Sequence, residues 1–238
     1  MAVFYLIRHG QASFGKNDYD QLSPVGERQA KILGHHMRRL LPAMDAVFAG
    51  THTRQQRTAD LAVEAMEVQA PVDTLAAFDE YDYRRVISAY LPRFMTDVGE
   101  ARGIRREDIG RDPRLFDLAF RFMIRAWMAN DPHEEEAFET FQVFCNRVCA
   151  GIEAILTTCE PKARIAVFTS GGTISALLRS VLGLSNKRTL SLNWSIYNAS
   201  VTQLYYGRSR DHHEALLMGF NNIAHLEITG DRDLITFR

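Results

Sequence analysis

The chain has 238 residues, 46% of them apolar and 24% charged, and a formal net charge of −1. That length suits one large α/β domain with a sizeable core, and the composition is ordinary for a soluble globular protein. The charge gives no global pull toward nucleic acid or an anionic membrane, so a small anionic substrate needs a local cluster of positive groups. Cys145, Cys149 and Cys159 are odd in number, and no histidine or further cysteine completes a metal set around them. They are expected as core thiols in a reducing cytosol. The first residues show no basic segment followed by an apolar stretch and a small-residue cleavage site, and no apolar run reaches membrane-spanning length. The expectation is a cytoplasmic protein with no metal and no cofactor.

Residues 3–7 form an apolar, branched and aromatic run that reads as a buried strand. The run breaks into Arg8-His9-Gly10, which places functional groups at the carboxyl edge of a sheet, where open α/β folds bind ligands. A neutral His9 with one tautomer held can act as a nucleophile. Arg8 can fork two N–H bonds onto an oxyanion. Gly10 admits a close backbone approach to a ligand or a positive φ.

Residues 11–22 are polar, with Gly15, Asn17 and Asp18, and read as a loop over the end of that strand. Ser23 suits a helix N-cap, Pro24 the first helical position, and Glu27 adds negative charge near the start. Ala30, Leu33, Met37, Leu40 and Leu41 mark the apolar face, His35 and His36 read as surface or half-buried, and Pro42 stops the helix. Residues 44–49 read as a second strand entering a helix through residues 50–59. Free N–H groups and the helix dipole make such a turn an anion site. It carries Arg54, a second candidate phosphate clamp, and His52, which can touch the substrate. A short strand begins at Pro71-Val72 and leads to the carboxylates Asp79, Glu80 and Asp82.

Residues 84–135 read as a mostly helical insertion packed over the open end of the sheet, with an amphipathic helix through 115–128. Arg84, Arg85, Arg93 and Arg121 could reach a second anionic group, although each reads first as part of a solvated face. A long helix from residue 139 to about 158 carries the core positions Phe141, Phe144, Val148, Ile152 and Ile155. Residues 164–169 form a near-continuous apolar strand that runs into Ser170-Gly171-Gly172 and another helix. Strands at 198–206 and 214–220 flank a polar stretch in which His212 and His213 read as solvent-exposed.

The segment Leu6-Ile7-Arg8-His9-Gly10 resembles the signature of the histidine phosphatase superfamily, the phosphoglycerate-mutase-like phosphatases. The resemblance continues in order through Leu22-Ser23-Pro24 to Ala30, through Arg54, Thr58 and Ala59, through Glu139 to Val148, and through the closing segment around Asn221 and His225. It implies a three-layer α/β sandwich, a mainly parallel central sheet with helices on both faces, in a single domain of residues 1–238 with a helical cap at about 84–135. It further implies in-line attack by His9 on phosphorus, Arg8 and Arg54 on the non-bridging oxygens, and a carboxylate as general acid. Glu80 stands nearest the expected place, with Asp79 and Asp82 as alternatives. The partner implied is a small phosphorylated substrate, not nucleic acid or membrane, and the oligomeric state stays open.

Some positions depart from the pattern. Gly50, Thr51 and His52 replace its small residue, proline and leucine, and Arg57 replaces its glutamine. Ser170 stands where the superfamily has its second catalytic histidine, although Gly171 and Gly172 keep the glycine turn that suits an anion. A neutral hydroxyl replaces a charged donor about twice as strong, so turnover is expected to be reduced unless His52 or the cap arginines compensate. The expected activity is phosphomonoester hydrolysis through a phosphohistidine at His9, with Ser170 and Gly171 among the substrate-binding groups. The alternatives are a catalytically weak phosphate-ligand binder or interaction protein and, with less support, a phosphomutase.

Overall fold

The computed structural model describes residues 2–13, 20–41, 43–133, 138–208 and 213–237. The expected loop residues Gly15, Asn17 and Asp18, the helix stop at Pro42, and His212 lie outside them, as does the side chain of His213. In chain order the elements are β1 (Ala2–Arg8), α1 (Pro24–Leu40), β2 (Ala46–Ala49), α2 (Thr53–Met66), β3 (Val72–Thr74), α3 (Tyr83–Phe94), the short α4 (Glu100–Arg102) and α5 (Arg106–Ile109), α6 (Pro113–Ala129), α7 (Phe141–Thr158), β4 (Arg164–Thr169), α8 (Gly171–Leu182), α9 (Asn186–Asn193), β5 (Val201–Arg208), β6 (His213–Asn222) and α10 (Ala224–Glu227).

The six strands form one sheet in the order β3-β2-β4-β1-β5-β6. The first four are parallel, and β5 and β6 add an antiparallel edge. The sheet is therefore mostly parallel, with helices on both faces. β1 lies between β4 and β5, and Phe4, Leu6 and Ile7 are all fully buried. Burial on two faces explains why its apolar run does not alternate. Phe4 and Leu6 join the core shared with α3, α6, α7 and α8, whereas Ile7 joins Leu33, Met37, Ala59 and Phe168 under α1 and α2.

The Ser23 hydroxyl caps α1 by accepting from the Gly26 amide at 3.0 Å, with Pro24 in the first position. Leu40 is 64% exposed, contrary to its expected place on the apolar face. The backbone leaves helical geometry at Leu41, and it is Leu41 that turns onto the core. The fifth strand starts at Val201 rather than at 198, because Ala199 takes φ 55°, which an extended strand does not accommodate. Among the described residues no helix is long and apolar enough to cross a membrane.

Candidate active site

β1 delivers His9 to the carboxyl edge of the sheet, and the surrounding chain holds its backbone on every side. The His9 amide donates to the Thr169 carbonyl at 2.8 Å, and the His9 carbonyl accepts from Asn198 Nδ2 at 3.2 Å. His9 Nδ1 lies 2.7 Å from the Gly10 carbonyl. A carbonyl can only accept, so Nδ1 carries the proton and Nε2 keeps its lone pair. Burial, followed by the Arg54 and Arg8 charges, pushes the His9 pKa well below the usual 6.5, so the ring is neutral at physiological pH.

Gly10 is glycine for a different reason than a ligand or a positive φ. A Cβ there would run into the backbone of Gly26 in the first turns of α1, and its φ is not positive. The contact lets α1 sit against the turn, and the Gly10 amide donates to Thr58 Oγ1 on α2 at 3.0 Å.

Arg54, in the first turn of α2, is buried. Its Nε–H points at His9 Nε2 across 3.3 Å, and its Nη1 donates to Asp20 Oδ1 at 2.6 Å. Burial pushes the Asp20 carboxyl up, but the Thr53 amide and Arg54 outweigh it and hold the group below its usual value. Arg8 reaches the Ile196 carbonyl, and the Phe237 carbonyl at 3.2 Å. Gly171 opens α8 between the side chains of Arg8 and Asn193.

Of the three candidate carboxylates, the structure brings Glu80 to the same place. Glu80 Oε2 accepts from the Gly172 amide at 3.0 Å, and Oε1 accepts from its neighbour Tyr81 at 3.2 Å. Burial raises its pKa, opposed by Gly172, Arg54, Tyr81 and Arg8. Asp79 instead accepts from the Thr51 amide and hydroxyl, and Asp82 caps α3 by accepting from Arg84 and Arg85. Both are committed to local structure. Arg147 holds the Glu80 turn from below. Its Nη1 donates to the carbonyls of Ala76, Ala77 and Asp79 at 2.9, 3.1 and 3.2 Å, while Glu139 takes its other edge with two bonds of 2.7 and 2.9 Å.

Ser170 sits at the N-cap of α8, buried, and its Oγ accepts from Gln55 Nε2 at 2.8 Å. Part of the glycine turn's capacity for an anion is already used, since the Gly172 amide serves Glu80. Three of the candidate cap arginines pair with carboxylates: Arg85 with Asp82, Arg93 with Asp97 and Asp131, and Arg121 with Asp117. His52 caps α2. A pocket of 370 Å³ shares Tyr81 with the Glu80 turn and is otherwise lined by Asp82, Arg85, Val86, Trp127, Phe138 and Glu139; it does not include His9, Arg8, Arg54 or Ser170.

Two contributors, the buried Gln55 and the half-buried Asp20, were not singled out from the sequence. Gln55 occupies the position where the superfamily pattern has alanine, a departure that could have flagged it. Asp20 lies in a polar loop with no signal at all. Among the described residues no group of three or more His, Cys, Asp or Glu is placed to hold a metal ion.

No curated protein sequence matches the chain. Solved structures share its fold at low identity. Bacillus stearothermophilus YhfR is 18% identical over 95% of this chain and 100% of its own, with a TM-score of 0.67. The mycobacterial glucosyl-3-phosphoglycerate phosphatase in complex with inorganic phosphate is 19% identical over 94% and 98%, with a TM-score of 0.65. Phosphoglycerate mutase from Bacillus anthracis str. Sterne is 17% identical over 97% of each chain, with a TM-score of 0.63. The family model of the histidine phosphatase superfamily (branch 1) matches residues 4–89 and 96–217, and the chain belongs to that superfamily.

Proposed function

We propose that the protein is a phosphomonoester hydrolase that works through a phosphohistidine at His9, on a small phosphorylated substrate in the cytosol. The observation that carries this reading is the tautomer of His9. Nδ1–H is spent on the Gly10 carbonyl, which leaves the Nε2 lone pair beside Arg54 in a neutral ring. Nε2 attacks phosphorus in line, forming the N–P bond as the P–O bond to the alcohol breaks. Arg54 and Arg8 neutralise the non-bridging oxygens, and Glu80, its pKa raised by burial, gives its proton to the leaving oxygen. Water then attacks the phosphohistidine, its proton passes to the Glu80 carboxylate, and inorganic phosphate leaves. Most of the rate gain comes from positioning and charge stabilisation. The helices between residues 83 and 129 serve as the cap that selects the alcohol portion.

A phosphatase and a phosphoglycerate mutase both share the fold. Hydrolysis is preferred here because a mutase must retain the phosphoryl group while its substrate turns over, and the neutral Ser170 offers no charged hold for that. A catalytically weak phosphate binder is the second reading, favoured by Ser170 alone. Release of phosphate from an aryl phosphate by the native chain and by His9→Ala separates the two. Activity that disappears with His9, together with an acid-labile phosphoenzyme in rapid-quench samples, is the expected result. Equal rates for the two proteins would refute the hydrolase.

A further inference from the structure

Two departures from the superfamily pattern, Gln55 at its alanine and Ser170 at its histidine, meet beside Gly50, which stands at its small residue. The Gln55 carboxamide lies over Gly50 so closely that a Cβ on Gly50 would overlap it. Gln55 is fully buried, and each end of its amide is engaged. Oε1 accepts from the His52 amide at 3.3 Å, and Nε2 donates to the Phe78 carbonyl at 3.2 Å and to Ser170 Oγ at 2.8 Å. An imidazole grown along the Ser170 side-chain direction would run into that amide. A long residue at 55 therefore goes with none at 50 and a short one at 170.

The direction of the Gln55–Ser170 bond fixes the serine. A hydroxyl has one proton to give and two lone pairs to receive. Gln55 fills one lone pair, so the Ser170 proton must point elsewhere. Among the described residues no group accepts it. Ser170 also occupies the N-cap position of a twelve-residue helix at the carboxyl edge of β4, the strand paired with β1 up to Arg8.

We infer that Gln55 is a positioning residue that turns Ser170 into a fixed, uncharged donor to a phosphoryl oxygen. Gly50, Gln55 and Ser170 then act as one unit in place of the second imidazole. The inference rests on the phosphatase reading for its catalytic consequence, but it also predicts phosphate affinity without turnover. A donor of this kind does not titrate near neutral pH, so removing it lowers the rate without moving either limb of the pH profile.

The test is a double-mutant cycle of Gln55→Met, Ser170→Ala and the double variant. It reads kcat and KM on an aryl phosphate, the Kd of inorganic phosphate by calorimetry, and the unfolding temperature. Ser170→Ala is expected to lower kcat/KM by roughly 10- to 100-fold, less than the ~10²–10³ of a full oxyanion donor, and to weaken phosphate binding. Gln55→Met is expected to do the same to a smaller extent, and to add nothing once Ser170 is alanine. Losses that multiply independently, or a phosphate Kd unmoved by Ser170→Ala, would overturn the inference. The phosphate arm stands even if His9→Ala and the native chain turn over alike, which would sink the hydrolase reading alone. A swap gives a second check. Ser170→His by itself should be nearly inactive, and adding Gln55→Ala should recover at least tenfold; no recovery would refute the shared volume.

Discussion

Arg54 directs its Nε–H at Nε2 of His9, so the nitrogen proposed to attack phosphorus is already in contact with the arginine proposed to hold it. The contact has two consequences. A preorganised cationic donor stabilises charge as it develops, and its loss typically costs about 10²–10³ in rate. The same charge disfavours the imidazolium. Arg54→Gln should therefore lower kcat/KM by that factor and move the His9 pKa up toward 6.5. Steady-state kinetics and an NMR titration of the imidazole read the two effects separately.

The proposed roles require His9 neutral and Glu80 protonated. Burial lowers the His9 pKa well below 6.5 and raises that of Glu80 above 4.5. Activity should rise with pH as His9 loses its proton, and fall as Glu80 loses its own. The kcat/KM profile is therefore expected to be a bell with His9 on its acid limb and Glu80 on its alkaline limb. Glu80→Gln should remove the alkaline fall and lower the rate by about 10²–10⁴, as for loss of a general acid. The loss should shrink with a nitrophenyl leaving group, which needs no proton.

Arg147 connects α7 to the turn that carries Glu80, with three carbonyls on one side and the Glu139 carboxylate on the other. Bonds to charged groups contribute about 1.5–3 kcal/mol each when buried, but this pair is about a quarter exposed, so the lower end applies. Arg147→Met should cost about 2 kcal/mol, which for a chain of this size is roughly 4–8 °C in Tm. It should also lower kcat more than it raises KM, because it frees the proposed acid rather than the phosphate clamp. Arg147→Lys keeps the charge and loses the fork, and should recover only part of either effect.

His225 is 2% exposed and lies 5.5 Å from the His36 ring, and its pKa falls to about 4, mainly through burial and then through His36. The folded state binds this proton less readily than the unfolded chain, where the value is near 6.5. Above pH 6.5 neither state is protonated and the group adds no pH dependence. As pH falls from 6.5 toward 4 only the unfolded state gains the proton, so stability declines, by on the order of 3 kcal/mol in all. Urea unfolding at pH 7.5 and pH 5 should show the loss, and His225→Asn should reduce it.

Much of the architecture was legible because apolar runs and caps act locally. The strands β1 and β4, the Ser23-Pro24 start of α1, and the strand–glycine–helix turn at Ser170 all follow from residues next to one another. So did the gathering of His9, Arg54 and Glu80, which sit at strand ends that a parallel sheet brings to one edge. What the chain order hid depends on distant partners. Asp20 matters because a loop crosses Arg54, and Gln55 because its amide meets a residue more than a hundred positions away. Gly10 was read as room for a ligand, but that room belongs to Gly26. The exposed Leu40 shows a limit of periodicity, which cannot tell where a helix face runs out of core to cover.

The placement of β1 between β4 and β5 also governs how the molecule comes to be made. Phe4 pairs with Ile165 on one side and Leu204 on the other, so the strand that leads into His9 leaves the ribosome well before either of its partners. At about 5–20 residues per second, the intervening stretch keeps an apolar segment waiting on the order of 10–30 s. Pairings this remote in sequence are slow to form and open to aggregation. The nascent chain is thus expected to need shielding of residues 3–7 by a holding chaperone, and moving this strand to the carboxyl end by circular permutation should raise soluble yield without altering the finished sheet.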